Sequence, residues 1–135
     1  MVDLNLLEAG NVWKFIGMEI VRNSEGRPGV QVINTNNLRQ VYGAMHGGII
    51  SMAVDAAGAV VVNEHVGRDF AVSTVELKVN YLLPVIDSDI VVYAKIVKKG
   101  KRLMVTTVEV LDNMANIVAV GIVTYIVKPI DNSSK

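Results

Sequence analysis

Residues 47–62, GGIISMAVDAAGAVVV, run for sixteen positions with one ionisable side chain, Asp55, and no proline. A helix that is apolar nearly all round has to be buried on most sides, and an acid in its middle loses solvation unless something pairs or uses it. At 1.5 Å per residue the segment makes a rod of roughly 24 Å, about four turns. As a membrane span it would carry a charge near its centre, at a cost of roughly 2.5 to 3.5 kcal/mol. It reads instead as the core helix of one domain over residues 1–135, and Asp55 is its first functional suspect.

Composition sharpens that reading. Of the 135 residues, 51% are hydrophobic and 19% charged, more apolar side chain than one small domain hides, so a homo-oligomer with an apolar interface is the economical expectation. Thirteen basic residues balance thirteen acidic ones, giving no global field for nucleic acid or an anionic membrane. Cysteine is absent, which removes disulfides, thiolate metal sites and cysteine nucleophiles. The start, MVDLNLLEAG, has no basic segment ahead of an apolar one, so the cytoplasm is the expected compartment.

Leu4, Leu6, Leu7, Trp13 and Phe15 suggest a short N-terminal helix. Residues 18–22 and 30–33 flank the turn sequence GRPG and predict a hairpin, or a strand with a loop. Residues 34–40, NTNNLRQ, are a polar lead into the core helix, and residues 63–69 a loop after it. Four strand-like runs follow, at residues 70–83, 89–97, 103–111 and 116–127. In the first, Ala71, Ser73, Val75, Leu77, Val79 and Tyr81 alternate onto one face predicted to meet the core. Links this short favour antiparallel hairpins. The last run is apolar on both faces, as for a strand covered by the helix and by a neighbouring subunit. The final residues, DNSSK, predict a frayed tail.

A long buried helix followed by antiparallel strands, with more strand before it, is an α+β layer arrangement in which the sheet wraps the helix. With HGG opening the helix at His46, Gly47 and Gly48, Asp55 nine residues after the histidine, Ser73, NYLLP at residues 80–84 and the GK turn at Gly100 and Lys101, the chain resembles the hotdog fold. Within it, the chain is similar to acyl-CoA thioesterases of the phenylacetate-pathway type over residues 36–127. The resemblance implies an acyl-CoA substrate, no metal or separate cofactor, and sites built at a dimer interface. Such relatives often carry asparagine six residues before the histidine; Gln40 stands there, an amide one methylene longer.

Thioester hydrolysis needs a polarised carbonyl and an attacking oxygen. The free N–H groups at a helix N-terminus, from Gly47 and Gly48, suit a developing oxyanion. Asp55 suits a general base or a nucleophile, and Ser73 a holder of the attacking water. Gly47 and Asp55 are eight residues apart, about 12 Å along one helix, far beyond a reacting distance near 3 Å. One subunit cannot bring both to one carbonyl, so the site is expected to be shared across a two-fold axis, in a homodimer or a homotetramer. Gln40 and His46 would shape the loop, His46 either as a simple cap or directly. Asn80, Lys99, Gly100, Lys101 and Arg102 are candidates for coenzyme A, although a solvated hairpin tip also explains the basic cluster, which includes Lys98. A non-catalytic acyl-CoA-binding protein and a purely structural oligomer are the rival readings. Metalloprotease, serine-elbow, phosphate-loop and DNA-reading motifs do not occur.

Overall fold

The computed structural model describes residues 4–131; the expected frayed tail after Asp131 lies outside them. Two short helices, α1 (Asn5–Glu8) and α2 (Asn11–Ile16), replace the one expected. Leu4, Leu7, Trp13 and Ile16 pack on the core. The chain then forms the hairpin β1 (Met18–Arg22) and β2 (Pro28–Val32), a single 3-10 turn, the helix α3 (Gly47–Val66), and strands β3 (Phe70–Tyr81), β4 (Ile90–Lys99), β5 (Leu103–Leu111) and β6 (Ile117–Pro129). This is the α+β hotdog arrangement: one six-stranded sheet, all its pairings antiparallel, around one long helix.

Helix α3 runs four residues past Val62, where a loop was expected. Asn63, Glu64 and His65 are polar but do not break a helix, and the Asn63 side chain donates to Ala59 O at 2.8 Å. The stop is Gly67, at φ +85°, a backbone conformation that suits a residue without Cβ. The apolar run buries Ile50, Ala53, Val54, Ala57 and Val60 against Val92, Val108, Val110 and Val123 of the sheet. Small residues set the spacing. A Cβ on Gly58 would lie 2.2 Å from the Tyr125 hydroxyl, and one on Gly121 2.8 Å from Val54, so helix and sheet touch closely at both points.

The strand order is β1-β2-β4-β5-β6-β3. Three expected hairpins form, but β3 and β4 do not pair although only eight residues join them. Residues 82–89 cross three strand spacings, about 14 Å, well within their reach. They are held on the way: Leu82 N and Leu83 N donate to Val118 O, and Met45 N donates to Val85 O. The crossing chain therefore passes over the start of α3 and leaves β3 as a twelve-residue edge strand.

A bulge between Thr74 and Glu76 changes the face that β3 presents. Before it, Val72 and Thr74 sit opposite the buried Val127 and Tyr125; after it, Leu77, Val79 and Tyr81 take the inner face. Strict alternation through residues 70–83, with Ser73 toward the core, is therefore corrected. One extra residue reverses the parity, and Ser73 lies opposite Ile126 on the outer face, exposed. Along β6, Ala119, Val123, Tyr125 and Val127 are buried under the helix, while Ile122 on the other face is half exposed.

Candidate active site

At the start of α3, His46 has extended backbone and its Nδ1 accepts the Gly48 N–H at 2.8 Å. The capping reading of His46 thus describes what its ring does here, and it takes one of the two glycine amides. Ile49 N and Ile50 N donate to His46 O. The Gly47 N–H has no acceptor among the described residues, so it is the first-turn donor available to a ligand.

Tyr81, which the sequence reading placed on a strand face without a role, covers this end. Its hydroxyl donates to Gly47 O at 2.7 Å, so the Ser51 hydroxyl, 2.5 Å away, is the donor to the Tyr81 oxygen. A Cβ on Gly47 would meet the Tyr81 ring at 3.2 Å. Gln40 lines the same cleft, together with Gly47, Tyr81 and the crossing residues 82–85. Its side-chain oxygen turns back onto Tyr42 N–H, while Gln40 N donates to Ala44 O at 2.8 Å. The amide carbonyl thus shapes the loop, and the amide nitrogen is the end left to face a ligand.

Asp55 lies two turns further along, partly exposed. Thr74 Oγ1 donates to Asp55 Oδ1 at 2.7 Å. This is the position expected for Ser73, shifted by the bulge to the next residue. A hydroxyl bond to a carboxylate is charge-assisted and fixes one oxygen, leaving Oδ2 to take a proton or attack. Beneath it, the buried Tyr125 hydroxyl donates to Asp55 O at 2.6 Å. Burial, and then the adjacent Asp55 carboxylate, push the Tyr125 phenol well above its usual value, so it stays protonated and works as a donor. Asp55, Thr74 and Tyr125 share a cavity with Trp13, Met18 and Met52.

The remaining candidates fall elsewhere. Asn80 is on the outer sheet face, where alternation puts it, in a shallow depression with Lys78, Glu109 and Ile122, and does not meet Gly47 or Asp55. Lys99 is the last residue of β4, so the turn proper is Gly100 to Arg102. A Cβ on Gly100 would lie 2.4 Å from Leu103 O, which makes glycine necessary to that turn. Lys101 and Arg102 line a cleft with Phe70 and Lys128 beyond the far end of α3. Within one chain the structure therefore gathers Gln40, His46, Gly47 and Gly48 at one place and Asp55 with Thr74 at another. Thr74, Tyr81 and Tyr125 were missed by pattern reading; the T-V-E run carried no signal of a bulge.

The sequence profile of the thioesterase superfamily matches residues 42–115, more than half of the chain. A Saccharolobus solfataricus protein provisionally named an esterase is 30% identical over 128 residues, covering 95% of this chain and 85% of its own length. A Listeria monocytogenes protein named 1,4-dihydroxy-2-naphthoyl-CoA hydrolase is 25% identical over 113 residues, 84% of this chain and 92% of its own. Among solved structures, a Bacillus halodurans protein crystallised with CoA superposes at TM-score 0.86 with 23% identity, covering 94% of this chain and 87% of that one.

Proposed function

Because the chain belongs to the thioesterase superfamily, we propose that it hydrolyses the thioester of an acyl-coenzyme A, as an enzyme of the phenylacetate-pathway type, at sites shared between two copies. The observation that carries this is the pair of contacts along β3: Thr74 on Asp55, and Tyr81 on Gly47. β3 is an uncovered edge, a template for pairing with another strand. If it pairs antiparallel with its own copy about a two-fold axis near Leu77 and Lys78, Thr74 of one subunit faces Tyr81 of the other. Gly47 then faces the partner's Asp55, and the gap of about 12 Å within one helix is closed between two.

In such a site the thioester oxygen sits on the Gly47 N–H at the positive end of α3. In the base route, the partner's Asp55 removes a proton from water, and the hydroxide forms a bond to the carbonyl carbon. Collapse of the tetrahedral oxyanion breaks the C–S bond, and the proton held by Asp55 passes to the departing thiolate of coenzyme A. In the nucleophile route, the Asp55 carboxylate itself forms the C–O bond and the C–S bond breaks, expelling coenzyme A as its thiolate; water then cleaves the mixed anhydride to the free acid and the Asp55 carboxylate, and the proton it releases passes to the thiolate. A single turnover in ¹⁸O-water separates them: the base route puts the label in the product acid, whereas attack of water on the Asp55 carbon of the anhydride leaves it in the Asp55 carboxylate and the product unlabelled.

The sharing is tested by mixing subunits. Asp55→Ala and Gly47→Val proteins, each inactive alone on a panel of acyl-CoA esters, regain about a quarter of the wild-type rate when unfolded and refolded together, because half of the dimers carry one intact site. No recovery from a correctly refolded mixture excludes the shared site. No thiol release by the wild type from any ester excludes the hydrolase.

A further inference from the structure

We propose that the cavity between α2 and the Asp55 turn of α3 receives the acyl group, and that Trp13 closes it so that the preferred substrate carries an uncharged acyl chain of medium length; this rests on the acyl-CoA hydrolase reading above. The cavity holds about 220 Å³ and opens onto Asp55 and Thr74. The rest of its wall is mainly apolar, with Trp13, Met18, Met52, Ala56 and Ala59 facing the space. That volume falls below the roughly 300–1,000 Å³ typical of sites that hold whole drug-sized ligands. At about 30 Å³ per water-sized unit, it takes about seven non-hydrogen atoms. It suits one arm of the substrate, not the whole of coenzyme A.

The two clefts flanking the thioester differ in chemistry, and that decides which arm goes where. The cleft at Gly47 offers the Gln40 amide and is rimmed by exposed Leu82 and Leu83, so it suits a polar amide-bearing arm that must run out to solvent. Among the described residues, the wall of the cleft at Asp55 holds no basic side chain. An acyl group ending in a second carboxylate would face Asp55 with nothing to pair it, and like charges close together are costly. Trp13 is the largest wall residue and sits on a six-residue helix resting on the core. Its indole therefore sets the depth while leaving the catalytic groups untouched.

The test is the chain-length profile of kcat/KM on straight-chain acyl-CoA esters from acetyl to hexadecanoyl, with succinyl-CoA as the charged member. The wild type is expected to peak at about six to eight carbons, in keeping with the cavity's size, and to prefer butanoyl- over succinyl-CoA. Trp13→Ala moves the peak to longer chains, with kcat/KM for dodecanoyl-CoA up about tenfold. Val12→Phe, a change at a half-exposed position in the cavity wall, moves it to shorter ones. Opposite shifts in two variants are not produced by a general loss of folding. A wild type fastest on hexadecanoyl-CoA overturns the inference. So does a peak that stays fixed in both variants, or one that moves instead with Leu83→Ala. Absence of hydrolysis of every ester by the wild type would be a different result, removing the hydrolase reading itself.

Discussion

The first and third turns of α3 lie on one rod yet are built from different materials. The first turn works through backbone: a free Gly47 N–H, a second amide taken by His46, and Tyr81 pressed against the glycine where a Cβ would sit. The third turn works through a side chain: Asp55, gripped by Thr74 and backed by Tyr125. A backbone donor is lost only by filling space or moving the helix, whereas a carboxylate is lost by replacing a single oxygen. Trimming a side chain should therefore cost activity at the third turn and packing or entry angle at the first, where only filling the space at Gly47, as Gly47→Val does, removes activity.

The largest effect belongs to the acid. Asp55→Asn keeps the shape and the acceptor for Thr74 but cannot take a proton, and kcat for thiol release should fall by about 10²- to 10⁴-fold with the melting temperature little changed. Equal loss from Asp55→Asn and from His46→Ala would erase the contrast. One turn past the acid, Gly58→Ala forces a Cβ into Tyr125 and Thr106. Overpacking of that kind costs about 1–3 kcal/mol, read as a lower denaturation midpoint, with activity reduced through the displaced Tyr125.

Thr74→Ala should lower kcat about tenfold, the size of one lost charge-assisted hydrogen bond, and Thr74→Ser should restore most of it. Ser73→Ala should leave kcat unchanged; if Ser73 proves the sensitive one, the face assigned to β3 is wrong. His46→Ala removes an N-cap and should cost about 0.5–2 kcal/mol by denaturant melt, with a smaller change in kcat than Thr74→Ala gives. The smallest effect lies away from both ends. Asp112, in the β5–β6 turn, accepts from the Asn116 side chain and backbone, which hold its carboxyl below its ordinary value. A lowered folded value means stabilisation that is present in full above about pH 4 and lost as the pH falls further. The stability gap between wild type and Asp112→Ala should close below that pH in acid unfolding curves.

Much of the architecture was legible. The apolar run announced α3 because only burial tolerates it, and strand-like runs at short spacing required an antiparallel sheet. Gly47 and Asp55 stood out for residue type and position, and helix rise alone separated them. What was hidden has two causes. The bulge at Val75 and the pairing of β3 with β6 in place of β4 are chosen by contacts distant in sequence, whereas the extension of α3 to Val66 follows from a local stop, Gly67, that the polarity of residues 63–65 masked. Local alternation favoured Ser73 because nothing in residues 70–83 reveals an extra residue. Only the need to keep Tyr125 opposite Thr74 and Gly121 opposite Val79 does so.

By itself the amino-acid order determined what must be buried, which acid would then be costly, and how far that acid stands from the paired glycines, since these follow from composition and from the geometry of a single helix. The tertiary structure decided which hydroxyl holds the acid, which tyrosine covers the glycine and which strand is left as an edge. Those depend on where residues dozens of positions apart come to rest, and a sheet's pairing and register are set by packing across it, not by any one strand.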